Sequence, residues 1–273
     1  MMTLPSVEIL VCTCRPEGAG RVAAMLLPPA EGVAYVVAWQ ESGGAEVPPA
    51  LASRSDVRVV RTAARCLSEN RNEAFEAARA DILLVADDDL TYFPDAIRGL
   101  REAFARDPRM DVALFRHEGA PKAYPASAVV LTEHLPKGYY ISSVEIAVRR
   151  SALADRRLRF SPQMGLATRY GCGEEEVWLL TAMRLGLKVV FLPLTLCRHD
   201  GATTGSRSRV AASTLRGFGA AMALIYPFTT PLRLPLKAWR LARGGQAGFF
   251  GALIGLAQGA WGGYFKIRRP WRG

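Results

Sequence analysis

The stretch ADILLVADDDLTY, Ala80 to Tyr92, is an apolar run that breaks off in three consecutive aspartates, Asp87, Asp88 and Asp89. Ile82 to Ala86 is continuously hydrophobic, the pattern of a strand covered on both faces of a parallel sheet. In open α/β sheets ligands bind beyond the carboxyl ends of the strands, so the aspartates stand where a ligand is expected. Adjacent carboxylates repel one another, and burial sharpens the repulsion. Something cationic must offset it. A divalent metal held by carboxylate oxygens does so and can bridge to a pyrophosphate. The plainer alternative is a solvated acidic turn ahead of a helix that starts at Pro94, where proline is tolerated.

The surrounding pattern supports a strand at this place. Val7–Thr13, Val33–Gln40 and Val57–Val60 are β-rich runs, each stopped by turn-forming or polar residues. Ser68 is a suitable N-cap for the helical pattern ENRNEAFEAARA, with Glu69 in the favourable first turn. Asp111–Phe115 reads as the next strand, and Tyr139–Arg150 as strand-like. Between them Arg116–Lys137 carries three prolines and reads as loops around a site. Gly173–Leu187 reads as a helix with acids at its start, followed by the strand Lys188–Pro193. Alternating strands and helices predict an α/β sandwich, a Rossmann-like, mostly parallel sheet between helices.

Three further elements bracket the aspartates. LSENRNEA lies one helix upstream and brings Arg71 and Asn72; GCGEEE lies downstream with Glu174, Glu175 and Glu176; LPLTLCRHDG ends in His199. Each has a bland reading. Arg71 could serve a surface ion pair, the glutamates a helix N-terminus, and His199 ordinary packing. Their occurrence in this order favours a site.

That order resembles the family-2 glycosyltransferases of the GT-A fold. The likeness spans about Val7 to Gly205 and rests on EILVCTCR, LSENRNEA, ILLVADDDLTYFPDAI, SSVEIAVRR and GCGEEEVWLLTAMRLGLKVVFLPLTLCRH. It implies a catalytic domain over residues 1–205, with a donor half of about 1–116 and an acceptor half of about 117–205. The implied reaction moves a sugar from a nucleotide-sugar to an acceptor hydroxyl with inversion, in bacterial polysaccharide or glycolipid assembly. It needs Mn2+ or Mg2+; a UDP-sugar is the first expectation for the donor, with GDP- and dTDP-sugars as alternatives. By the same resemblance Asp89, Asp87 and His199 hold the metal. Thr13, Arg15, Gln40, Arg71, Asn72, Asp87 and Asp88 hold the donor. Glu175 is the catalytic base, with Glu174 beside it for the acceptor, and Ser142, Ser143 and Glu145 shape the acceptor side. Many members carry an acid at the end of the second strand, whereas AWQESGG offers Gln40 and Glu41.

Charge marks off the C-terminal part. The chain of 273 residues has a net charge of +10, yet no Asp or Glu follows Asp200, where 11 of the 35 Lys and Arg lie. Such asymmetry points to an anionic surface as partner. Residues 206–273 therefore read as a basic, apolar helical extension, including Arg207, Arg209, Arg216, Arg233, Lys237, Arg240 and Arg243. Gly248–Phe265 is uncharged, but short and glycine-rich for a membrane span. Trp261, Tyr264 and Trp271 near basic residues suit an interface helix on anionic lipid. A helical subdomain packed on the rest, or a homodimer contact, is the alternative. Five cysteines without a CxxC pair argue against zinc ribbons and disulfide frameworks. Met1–Val11 lacks a signal-peptide pattern. The expected location is the cytoplasm, at the inner face of the membrane. Two rival functions remain. A nucleotidyltransferase would want a Gly-rich phosphate loop, of which CTCRPEGAGR is a poor version. A nucleic-acid or membrane scaffold would want aromatic-laced binding motifs, which are absent, so no nucleic-acid partner is expected.

Overall fold

The computed structural model describes residues 3–119, 122–132, 135–136, 138–154, 157–199 and 210–268. In chain order the elements are β1 (Val7–Cys14), α1 (Gly18–Met25), β2 (Val33–Gln40), α2 (Pro49–Ala52), β3 (Val57–Thr62), α3 (Leu67–Ala77), β4 (Ile82–Asp87) and β5 (Leu90–Tyr92). There follow α4 (Pro94–Arg106), β6 (Val112–Glu118), β7 (Val129–Leu131), β8 (Ile146–Arg149), α5 (Glu174–Arg184), β9 (Val189–His199), α6 (Ala212–Ile225), α7 (Thr230–Arg243) and α8 (Phe249–Phe265). The chain divides into two compact units. One comprises Met1–Arg65, Asn70–Leu158 and Ala182–Gly201; the other Cys66–Glu69, Arg159–Thr181 and Ala202–Gly273. The C-terminal extension thus groups with Arg159–Thr181, which includes the start of α5.

The first unit holds the whole sheet, in the order β3-β2-β1-β4-β8-β6-β9-β5, with β7 on β9. β3, β2, β1 and β4 run parallel, as the uninterrupted apolar runs predict. Val7, Ile9 and Val11 share one face with Tyr35, Val37, Trp39, Ile82 and Leu84, under α1 and α4. The alternate residues Leu10, Val36, Leu83 and Val85 are buried as well. Strand order reverses direction of growth between β1 and β4, so their carboxyl ends frame the cleft that parallel sheets offer to ligands.

Three local expectations are corrected. Ser68 lies inside α3, which starts at Leu67; its hydroxyl donates to the Met164 carbonyl at 2.7 Å instead of capping a helix end. Tyr139–Arg150 is not one strand. A 3-10 turn over Ser143–Glu145, closed by reciprocal bonds between Ser142 and Glu145, leaves only Ile146–Arg149 as β8. Finally, the strand expected over Lys188–Pro193 continues through Pro193 to His199.

The second unit is built on α6, α7 and α8. Leu215, Ala223, Leu234, Ala238, Leu241, Ala252, Leu256 and Ala260 form its core. Glycine permits the closest approach, since small residues let helix backbones meet. A Cβ on Gly259 would strike the Arg216 carbonyl, and one on Gly219 the Leu256 carbonyl. A Cβ on Gly263 would lie 2.5 Å from the Ala220 carbonyl oxygen. Three of the glycines that made Gly248–Phe265 a poor membrane span, Gly255, Gly259 and Gly263, face α6 in a packed helix pair. Among the described residues no helix is long and apolar enough to cross a membrane. Arg207, Arg209 and Trp271 lie outside the described residues.

Gly259→Ala is expected to cost about 1–3 kcal/mol by forcing α6 and α8 apart. Gly251, in the same helix with open space around it, is the control. Gly251→Ala should be neutral or gain up to about 1 kcal/mol of helix propensity. Chemical denaturation followed by circular dichroism separates them, and equal midpoints for the two variants would contradict the close packing.

Candidate active site

The three aspartates do not act as one cluster. β4 ends at Asp87, the chain turns through Asp88 and Asp89, and β5 begins at Leu90. Consecutive side chains leave such a turn in different directions, and each meets its own partner. Asp87 accepts from the buried Arg71 guanidinium at 3.4 Å. Asp88 accepts from the Thr13 hydroxyl and from Arg21 at 2.7 Å. Asp89 faces the His199 imidazole at 3.2 Å. Hydrogen bonding from His199, more than burial opposes it, holds the Asp89 carboxyl below the usual carboxylate range.

The Asp89–His199 contact follows from backbone pairing. β5 is three residues long, runs antiparallel to β9 and sets Leu90 opposite His199. Residues 89 and 199 are thereby held side by side, although 110 positions separate them. Asp89 is the most open of the three, with 44% of its side chain exposed. Among the described residues no three His, Cys, Asp or Glu side chains converge to hold a metal ion. Among the described residues this turn offers the Asp89 carboxylate beside the His199 imidazole. That set suits a cation that keeps positions for water and substrate phosphates, as Mg2+ and Mn2+ do.

The strand ends behind the aspartates are tied together by residues that the sequence reading passed over. Asn70, 1% exposed, donates its amide to the Ala38 carbonyl at 3.0 Å and the Thr13 carbonyl at 3.3 Å, and accepts from Thr62 at 2.8 Å. One amide thus joins the ends of β1, β2 and β3. Trp39, fully buried, donates its indole N–H to the Arg15 carbonyl at 2.7 Å. Arg15 and Glu41, one residue beyond β1 and β2, both adopt left-handed backbone, at φ 66° and 51°. Its main-chain N–H bonded to the Gln40 carbonyl, Arg15 leaves its side chain exposed, whereas Thr13, Gln40 and Asn72 are buried.

In this unit Glu145 is fully buried, not open to an acceptor. Its carboxylate accepts from Lys122 at 2.6 Å, Tyr124 at 2.6 Å and Tyr139 at 2.9 Å. It therefore pins the segment around residues 122–124 beside His117, whose ring lies 6.0 Å from that of His199. Burial keeps the His117 imidazole below its ordinary pKa.

Glu174 and Glu175 belong to the second unit, where they open α5. Glu174 is 4% exposed; Glu175 is half-buried. Gly165 makes room for the first of them. It sits at φ +98°, and a side chain there would come 2.9 Å from the Glu174 carboxyl carbon and from the Ser68 hydroxyl.

Replacing Asn70 by Ala should cost about 1–3 kcal/mol, since it leaves strand-end carbonyls without their donor. The loss should appear as a lower midpoint in urea denaturation. A variant of unchanged stability would show that the amide is not the tie between these strands.

Residues 45–146 match the family described as glycosyl transferase family 2. The matched stretch contains Arg71, Asn72 and the three aspartates; Thr13, Arg15, Gln40, Glu174, Glu175 and His199 lie outside it. No curated protein matches the chain. Solved structures do resemble it in fold. Residues 1–349 of S. aureus TarS superpose with a TM-score of 0.57 at 16% identity, covering 96% of this chain and 75% of that one. The same fragment in complex with UDP-GlcNAc gives 0.55 at 18% identity, over 81% and 65%. Longer TarS gives 0.54 at 16%, over 89% of this chain, which spans only 44% of that protein. A mostly parallel sheet with this topology is similar in fold to TarS, and the stretch that carries Arg71, Asn72 and the three aspartates matches the model of glycosyl transferase family 2.

Proposed function

We propose that the protein transfers a sugar, with inversion, from a nucleoside diphosphate sugar to an acceptor hydroxyl. One observation carries the reading. Of three adjacent carboxylates, two are engaged by Arg71 and by Thr13 with Arg21, while Asp89 stands open beside His199. The similarity to TarS structures in complex with UDP-GlcNAc and with UDP supports a UDP-sugar as donor. An acceptor from bacterial polysaccharide or glycolipid assembly fits this chemistry.

Each residue then has a task. Thr13, Arg15 and Gln40, at the ends of β1 and β2, contact the base and ribose. Arg71 and Asn72 line the donor side, and Arg71 also orients the Asp87 carboxylate. Asp89 and His199 would hold Mn2+ or Mg2+, which when bound neutralises charge on a leaving diphosphate. The acceptor oxygen forms its bond to the anomeric carbon as the bond from that carbon to the diphosphate oxygen breaks. The acceptor proton passes to Glu175, whose half-exposed carboxylate suits a base that must reach a substrate. Glu174, buried against Gly165, orients the neighbouring backbone and acceptor.

Thermal shift with UDP tests the donor half of the reading, because a ligand that binds only the folded protein raises its melting temperature. UDP with Mn2+ should raise it more than either alone, and Asp89→Ala should abolish the difference. Glu175→Gln should keep that shift while transfer falls about 10²–10⁴-fold. Near-normal transfer by Glu175→Gln would remove it as base. A UDP shift indifferent to Mn2+ and to Asp89 would end the proposed use of the aspartate.

A further inference from the structure

The second unit carries a feature that glycosyl transfer does not use. The inner face of α8 is spent on α6, through Gly255, Gly259 and Gly263. The outer face carries Phe250, Ile254, Trp261 and Phe265, exposed by 77%, 59%, 60% and 69%. At 3.6 residues per turn these four fall within roughly 60° of one another and extend along about 22 Å of helix. Soluble surfaces scatter large apolar residues singly; a continuous stripe marks an interaction site. Helix α7 repeats the pattern. Its Leu232, Leu236 and Trp239 are exposed on one side, with Arg243 over the Trp239 ring at 4.9 Å and Arg233 and Arg240 alongside.

We propose that the outer faces of α7 and α8 form a lipid-docking surface that lies in the headgroup region of an anionic membrane. Charge selects the occupant. No acid follows Asp200, against 11 basic residues. A second copy of the chain placed on this face would bring positive against positive, whereas an anionic bilayer complements it. Nucleic acid would satisfy the arginines and lysines but offers no home to the aliphatic side chains of Ile254, Leu232 and Leu236. Lipid takes both: apolar side chains enter the acyl boundary while arginine and lysine reach the headgroups. With the stripe running the length of α8, and no helix among the described residues able to span, the helix lies along the membrane plane. The proposal does not depend on the identity of the sugar donor.

Co-sedimentation of the full-length protein with vesicles tests it. Phosphatidylcholine vesicles containing phosphatidylglycerol should bind the protein, and pure phosphatidylcholine should bind it at least about tenfold less tightly. The double variant Trp261→Ser with Phe265→Ser should bind the anionic vesicles at least about tenfold more weakly. Arg240→Glu with Arg243→Glu should erase the preference for anionic lipid. All these side chains are exposed, so melting curves of both variants should match the parent. Equal binding by parent and variants overturns the proposal. So does binding to an RNA oligonucleotide but not to vesicles, or a dimer in analytical ultracentrifugation that the Trp261/Phe265 variant dissolves.

Discussion

Carboxylates on consecutive residues repel one another. In a partly buried site, each like-charged pair costs on the order of a few kcal/mol. The fold meets this by dispersal. Arg71 comes from α3, Arg21 from α1, and His199 from the end of β9, so three elements converge on one turn. That turn can exist only because each element is where it is. Removal of one partner would leave a carboxylate to find water. The site is thus a consequence of how helices and strands assemble, not of the DDD run by itself. The pairing is also uneven. Arg71 is buried at 2%, so its ion pair is fixed from the protein side. Asp89 lies at the rim, where its partner can be shared with an incoming ligand.

The helical unit follows another logic. Here glycine, which weakens an isolated helix, is concentrated where two helices cross, and the enthalpy of close backbone contact replaces what propensity lacks. On α8 glycines share the inner face with Leu256, while Phe250, Ile254, Trp261 and Phe265 stand outward. A chain that had only to pack these helices would not need Phe250 or Trp261 in solvent.

Much of this was readable from the residues. The apolar run Ile82–Ala86 announced a doubly covered strand, and the break at Asp87 announced its end. Pro94 marked the start of α4. What escaped was set by tertiary pairing. β5 is three residues, too short for any periodicity to show, yet it places Asp89 against His199. Ser68 had the chemistry of a cap, but its hydroxyl found a carbonyl almost a hundred residues away. The Ser142–Glu145 spacing is that of a capping box, a visible signal hidden by the β-rich residues around it. Asn70 looked like a polar surface residue among the similar letters of ENRN. Nothing in its spacing told that it, and not its neighbours, joins three strand ends. Which unit each candidate occupies was likewise unreadable, since Glu174 and Glu175 group with the C-terminal helices through contacts distant in sequence.

The left-handed backbone at Arg15 and Glu41 carries a last implication. Neither residue is glycine, so each conformation costs of order 1–3 kcal/mol and persists because its surroundings impose it. The Trp39 indole and the Gln40 carbonyl do the imposing at Arg15. The loops that follow β1 and β2 are therefore set in shape while the chain folds. Little ordering entropy is left to be lost when a ligand meets the end of β1, which is preorganisation achieved by a buried indole and one main-chain bond.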